Sequence, residues 1–124
     1  MPLLASTTTL TSNLNPSNFE DEVDLSISVS DPSLVGTPSG DVVLSDSRDS
    51  AHGGFDPVTT ALDGGGNATL STNELFPGIH VITAVYQGDG FYSTSSSGPV
   101  TQQVNSINIT TILPSFALIA IVTP

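Results

Sequence analysis

Apolar and polar residues alternate without a break from Val23 to Ser30. Val23, Leu25, Ile27 and Val29 fall on one face of an extended chain, and Asp24, Ser26, Ser28 and Ser30 on the other. A period of two predicts a strand with one core face and one wet face, as in an antiparallel sheet. Ahead of it, Thr7 to Thr11 predicts a β-branched edge strand, closed by the turn residues Asn15-Pro16-Ser17. Behind it, Asp31-Pro32-Ser33 and then Gly36 to Gly40 turn the chain into a short third strand, Asp41 to Ser45. Residues 46–56 are polar and glycine-bearing and are expected to form a loop. Segments 58–62 and 68–71 flank Asp63-Gly64-Gly65-Gly66-Asn67, which predicts a hairpin whose glycines supply positive φ. The most apolar strand runs from Ile79 to Tyr86 and ends at Gln87-Gly88-Asp89-Gly90, and Gly98 to Val104 forms the last one.

Seven short strands, with turn signals roughly eight to twelve residues apart, predict an all-β fold: an immunoglobulin-like antiparallel β-sandwich. Composition agrees. The 124 residues suffice for one core and not two, and the apolar 37 % is Val, Ile and Leu set among Thr and Ser.

Charge narrows the partners. Twelve acidic residues stand against one basic residue, Arg48, and there is no lysine, for a net charge of −11. Such a chain repels phosphates, so nucleic acid is not an expected partner. Schiff-base, phosphate-loop and isopeptide lysine chemistry are excluded with it. The chain has no cysteine, so neither a disulfide framework nor a thiolate metal site exists. Met1-Pro2-Leu3-Leu4-Ala5 has no basic start and no long apolar run, and is not expected to be a secretory signal.

Several blocks together resemble one family. Thr7 to Leu10 with Asn15-Pro16-Ser17, Gly36 to Gly40, Leu62 to Leu70, Pro77 to Tyr86, Gln87-Gly88-Asp89 and Thr101 to Asn105 resemble, in this order, bacterial Ig-like repeat domains. The resemblance covers roughly residues 6–105. It implies a spacer, assembly or binding role in a secreted or cell-surface protein, and it brings no catalytic residues. The chain departs from the pattern in the longer, more acidic stretch 46–56, and it lacks the Cys pair and Trp of antibody domains.

Residues 1–105 are therefore expected to be the sandwich domain and 106–124 an apolar C-terminal strand extension. That extension reads as a shortened second copy. Thr110-Thr111 with Pro114-Ser115 echoes Thr8-Thr9 with Pro16-Ser17, and Thr123-Pro124 echoes Asp31-Pro32. On that alignment Ala117, Ile119 and Ile121 take the core positions of Leu25, Ile27 and Val29, while Phe116, Leu118, Ala120 and Val122 replace Asp24 and the wet serines. A strand apolar on both faces needs cover on both sides. Its large side chains left in water would forgo roughly 1.5–3 kcal/mol each, in total on the order of 10 kcal/mol, comparable with a domain's net stability. It is too short to cross a membrane, which takes about twenty apolar residues. Leu113 to Ala117 lacks the Thr-Gly and the basic tail of a sortase signal. The segment either folds back on its own domain, begins a next repeat, or inserts into a neighbouring subunit by strand addition.

Candidate chemistry is sparse. His80 lies on the Ile82, Ala84 and Tyr86 face and is expected to be a hydrogen-bonded structural histidine. Tyr86 is expected to tie down a nearby turn through its hydroxyl. Asp46, Asp49 and Asp56, and separately Glu20, Asp21 and Glu22, form acidic clusters without calcium-loop spacing, and are expected to be solvated. Asn67-Ala68-Thr69 and Asn108-Ile109-Thr110 match the glycosylation pattern. The expectation is thus an extracellular or cell-surface structural subunit, not an enzyme, without cofactor or metal. It would form a homopolymer, a filament or surface array, by β-strand complementation, with Phe116, Leu118, Ile119, Ile121 and Val122 as the assembly strand. The alternative is an adhesin or virion-decoration module binding a surface glycan, for which Phe55, Phe91 and Tyr92 are the aromatic candidates.

Overall fold

The computed structural model describes residues 2–106 of the chain. Their strands are β1 (Thr7–Ser12), β2 (Ser17–Asn18), β3 (Val23–Ser30), β4 (Asp41–Asp46), β5 (Val58–Ala61), β6 (Asn67–Thr72), β7 (Gly78–Tyr86), β8 (Ser95–Ser96) and β9 (Val100–Asn105), with one 3₁₀ turn at Ser50–His52. They form two facing sheets. The smaller has the order β1-β3-β6, and the larger β2-β9-β7-β4-β5, with β8 paired to β7. All pairings are antiparallel except β2 with β9.

Alternation decides what each strand buries. Val23, Leu25, Ile27 and Val29 of β3 point inward and are buried, as the sequence pattern predicts. Val42 and Leu44 of β4 and Ile82, Ala84 and Tyr86 of β7 meet them from the opposite sheet. Burying each large apolar side chain contributes about 1.5–3 kcal/mol, and this shared layer holds the two sheets together.

The sandwich also buries polar side chains, each with its partners supplied. Gln102 is fully buried on β9. Its Nε2 donates to the Leu14 carbonyl at 2.7 Å, and its Oε1 accepts from the Ser12 hydroxyl at 2.6 Å. These bonds hold the chain where it leaves β1, passes the cis Asn15–Pro16 bond and joins the larger sheet as β2. Among the described residues no buried side-chain nitrogen or oxygen lacks a hydrogen-bond partner.

One expected element is different. Residues 62–67 do turn the chain sharply: Asp63 Oδ1 accepts the N–H groups of Gly65 and Asn67, and Gly66 sits at φ 80°. The turn is a crossing between sheets and not a hairpin, because β5 pairs with β4 in the larger sheet while β6 pairs with β3 in the smaller. A Cβ on Gly66 would stand 2.6 Å from the Val29 carbonyl, so the turn seats directly against the end of β3. Two further strands, β2 and β8, are two residues long and were not expected from the sequence.

Candidate functional site

The five residues expected to form an assembly strand, Phe116, Leu118, Ile119, Ile121 and Val122, lie outside the described residues, as does Asn108. The described part offers two ends, one open side and one closed side.

At the end where β9 finishes, the loop after β4 folds over the start of β7. His80 Nδ1 lies 2.8 Å from Asp46 Oδ2, and Nε2 lies 2.8 Å from the Phe76 carbonyl, with both side chains fully buried. A carbonyl only accepts, so Nε2 donates to it, and Nδ1 faces the Asp46 carboxyl. Asp46 Oδ1 also accepts the Arg48 N–H. Arg48 reaches back over Gly78 to the Pro77 carbonyl at 3.2 Å. Neither member of the His80–Asp46 pair reaches solvent, and their contact ties the end of β4 to β7.

The three aspartates of this loop take separate partners. Asp49 accepts from His52, which lowers its pKa, and Asp56 accepts from the Ser50 N–H and hydroxyl. Among the described residues no three histidine or acidic side chains converge as metal ligands. No serine or threonine hydroxyl there is hydrogen-bonded to either histidine. Beside this loop the Phe19 and Phe76 rings meet edge to face at 5.7 Å and border a shallow cleft of about 370 Å³ with Gly53, Gly54 and Glu20.

The opposite end is organised by Asp31. Its carboxylate accepts from the Ser33 hydroxyl, from the N–H groups of Ser33, Val35 and Gly36, and from the Tyr92 hydroxyl at 2.8 Å. The Ser33 hydroxyl foremost, with Tyr92 and the backbone donors, holds this carboxyl well below the usual range against the effect of burial. Burial pushes the Tyr92 hydroxyl up, and Asp31 adds to it. Burial also opposes ionisation of Asp89, but the N–H groups of Ser39, Phe91 and Tyr92 outweigh it and bring that carboxyl to about 2. Tyr86 donates to the Ser39 carbonyl at 2.6 Å, tying down the turn before β4 as expected, and burial raises it to about 12. The anchored loop exposes Leu34 and Val35. Of the three aromatic glycan candidates, Tyr92 is buried and Phe55 packs half-buried on the core, so only Phe91 is freely exposed.

The two sides differ as well. Along β1 a hydrogen-bonded seam joins the sheets: Leu4 N–H to the Phe91 carbonyl, Ser6 hydroxyl to the Ser93 carbonyl, and Thr8 and Ser6 hydroxyls each to the Ser95 hydroxyl at 2.7 Å. Along β6 no such seam exists among the described residues.

Two facing, mainly antiparallel sheets with this strand order, sharing one core, define an immunoglobulin-like sandwich. The chain matches the family model of the bacterial Ig-like domain (group 3) over residues 10–105, and it belongs to that family. No curated protein and no solved structure matches it in the corresponding comparisons. Among the described residues no helix is long and apolar enough to cross a membrane.

Proposed function

We propose that this chain is an extracellular structural module without catalytic activity, which joins copies of itself by donating Phe116 to Val122 as a β-strand to a neighbour. One observation carries the reading. Among the described residues, 7–105 already supply both sheets and a common core with every buried polar side-chain atom satisfied, so that core forms without residues 116–122. Those residues are apolar on both faces and gain most by lying against another protein surface. Strand addition supplies that surface together with main-chain hydrogen bonds, and a donor that passes from each copy to the next generates an open chain and not a closed dimer.

The test compares the full chain with a chain ending at Asn105, by sedimentation velocity and negative-stain microscopy. The full chain is expected to form filaments or extended oligomers and the shortened one to remain monomeric. Equal assembly of both, or a monomeric full chain, contradicts the proposal. The glycan-binding alternative loses ground in this structure, because its three aromatic candidates do not form one exposed surface.

A further inference from the structure

The sheet edges are unequal. β1 is sealed by its hydroxyl seam, β2 has two residues, and β5 has four and follows Pro57. β6 has six residues, Asn67–Thr72, with neither a charge nor a proline, and among the described residues it pairs on one side only. Natural edges of that length ordinarily carry such guards against strand addition.

Two hydrogen bonds set the direction of its backbone. Asn13 N–H donates to the Asp24 carbonyl at 3.1 Å, and Val29 N–H donates to the Gly66 carbonyl at 2.8 Å. Even-numbered residues of β3 therefore bond towards β1 and odd-numbered ones towards β6. Through the register Ile27–Ala68, Leu25–Leu70 and Val23–Thr72, the residues Ala68, Leu70 and Thr72 bond to β3. Thr69 and Ser71 aim their N–H and C=O groups away from the sheet.

The smaller sheet also stops short. β5 packs across onto β6, and among the described residues no strand of the smaller sheet lies beyond β6 to cover it. Phe55 and Leu62, on either side of β5, and Leu70 on β6 are left half-buried along this open side.

We infer that β6 is the acceptor edge, and that segment 116–122 of a second copy adds beside it with Thr69 and Ser71 as main-chain partners. The inference rests on the assembly reading above and names its receiving surface. Seven residues match a six-residue edge. In either register one apolar row of the segment turns inward and extends the core over Phe55, Leu62 and Leu70, leaving the other row on the outer face. The geometry of the chain favours a second copy. Asn105 ends β9 beside Phe19, whose N–H donates to its carbonyl at 2.7 Å, whereas β5 and β6 form the opposite side of the sandwich. To reach its own β6 the chain would have to wrap around that end. The ten steps from Ser106 to Phe116, extended, span about 33 Å, enough to carry the segment clear of its own sandwich.

The chain has no cysteine, so single cysteines report cleanly. A Thr69→Cys chain is mixed in turn with an Ala120→Cys and an Ile119→Cys chain, one for each register, each carrying a mass tag, oxidised mildly and read on a non-reducing gel. A mixed disulfide dimer is expected, and none when Thr59→Cys on β5 replaces Thr69→Cys. A mixed dimer through position 59, or a bond formed only within a doubly substituted chain, overturns the assignment. In parallel, Thr69→Pro removes an outward N–H and no β3 bond, a position where an edge strand tolerates proline. It is expected to leave the chain folded by circular dichroism and to abolish assembly. Assembly that survives Thr69→Pro sinks the choice of β6 alone, whereas an unsubstituted chain that never assembles sinks the proposed function itself.

Discussion

The three-stranded sheet has two edges, and the chain finishes them in opposite ways. At β1 the residues that leave the sheet are short hydroxyls, Ser6, Thr8 and Ser12, and each meets a partner on the larger sheet: Ser95 for the first two and Gln102 for the third. Further along, Asn15 imitates a strand, giving its Nδ2–H to the Thr101 carbonyl and accepting the Gln103 N–H. At β6 the short polar residues Asn67, Thr69 and Ser71 face outward, away from the larger sheet, and Ser71 bonds instead to Asp24 on the neighbouring β3. The inward positions are Ala68, Leu70 and Thr72, with only the four-residue β5 across from them. Among the described residues hydroxyls therefore join the sheets at one edge and not at the other, and what differs is the face on which the chain places them.

Both edges hang on one rigid sandwich, and loosening its buried His80–Asp46 pair is expected to cost the most stability. His80→Ala leaves Asp46 buried without its partner, and removing one member of a buried pair costs about 3–5 kcal/mol. Urea unfolding of the full chain measures this loss, and a loss below about 1 kcal/mol, the worth of an ordinary hydrogen bond, would show the pair to be incidental.

Thr8→Val is expected to unpick the sealed edge by about 1–2 kcal/mol, since it keeps the shape of the side chain and removes the bond to Ser95. Hydrogen exchange should then rise at Leu4 and Ser93, whose amides belong to the same seam, and stay unchanged on β6.

Acid sharpens the contrast more gently. Asp31 and Asp89 hold the loops that meet the sealed side, and both carboxyls titrate below the ordinary value near 3.9 that they regain on unfolding. Between those values the unfolded chain binds more protons than the folded one, so their contribution is intact above about pH 4 and is lost as pH falls further. Exchange at Leu4, Phe91 and Ser93 measured from pH 5 down to pH 2 should accelerate before exchange in β3. Uniform loss across the sandwich would contradict this.

Most of this architecture follows from patterns of period two, and what does not follow has a common cause. β3 was legible residue by residue because its alternation is unbroken and one face is buried. Burial of His80 followed from the same rule, but its partner Asp46 is 34 residues away and nothing local points to it. The turn at 62–67 was legible as a turn and misread as a hairpin. Asp63 and Gly66 make the same bonds whether the chain returns along the same sheet or changes sheets, and the choice is made by β4 and β3, far off in sequence. β2 and β8, at two residues each, are too short to show a period. Phe55 and Tyr92 sit in loop sequence yet pack inward, because Tyr92 is drawn down onto Asp31 and Phe55 onto the open side of the core. The edge proposed as the receiver was invisible to sequence reading, since it is defined by which strands stand beside β6 among the described residues.

The amides of Thr69 and Ser71 report on that edge directly. Hydrogen exchange followed by NMR or mass spectrometry, on the full chain and on a chain ending at Asn105, should show these two amides exchanging freely in the shortened chain. In the full chain they should be protected, with β3 equally protected in both. Free exchange at Thr69 and Ser71 in an assembled full chain would contradict the account.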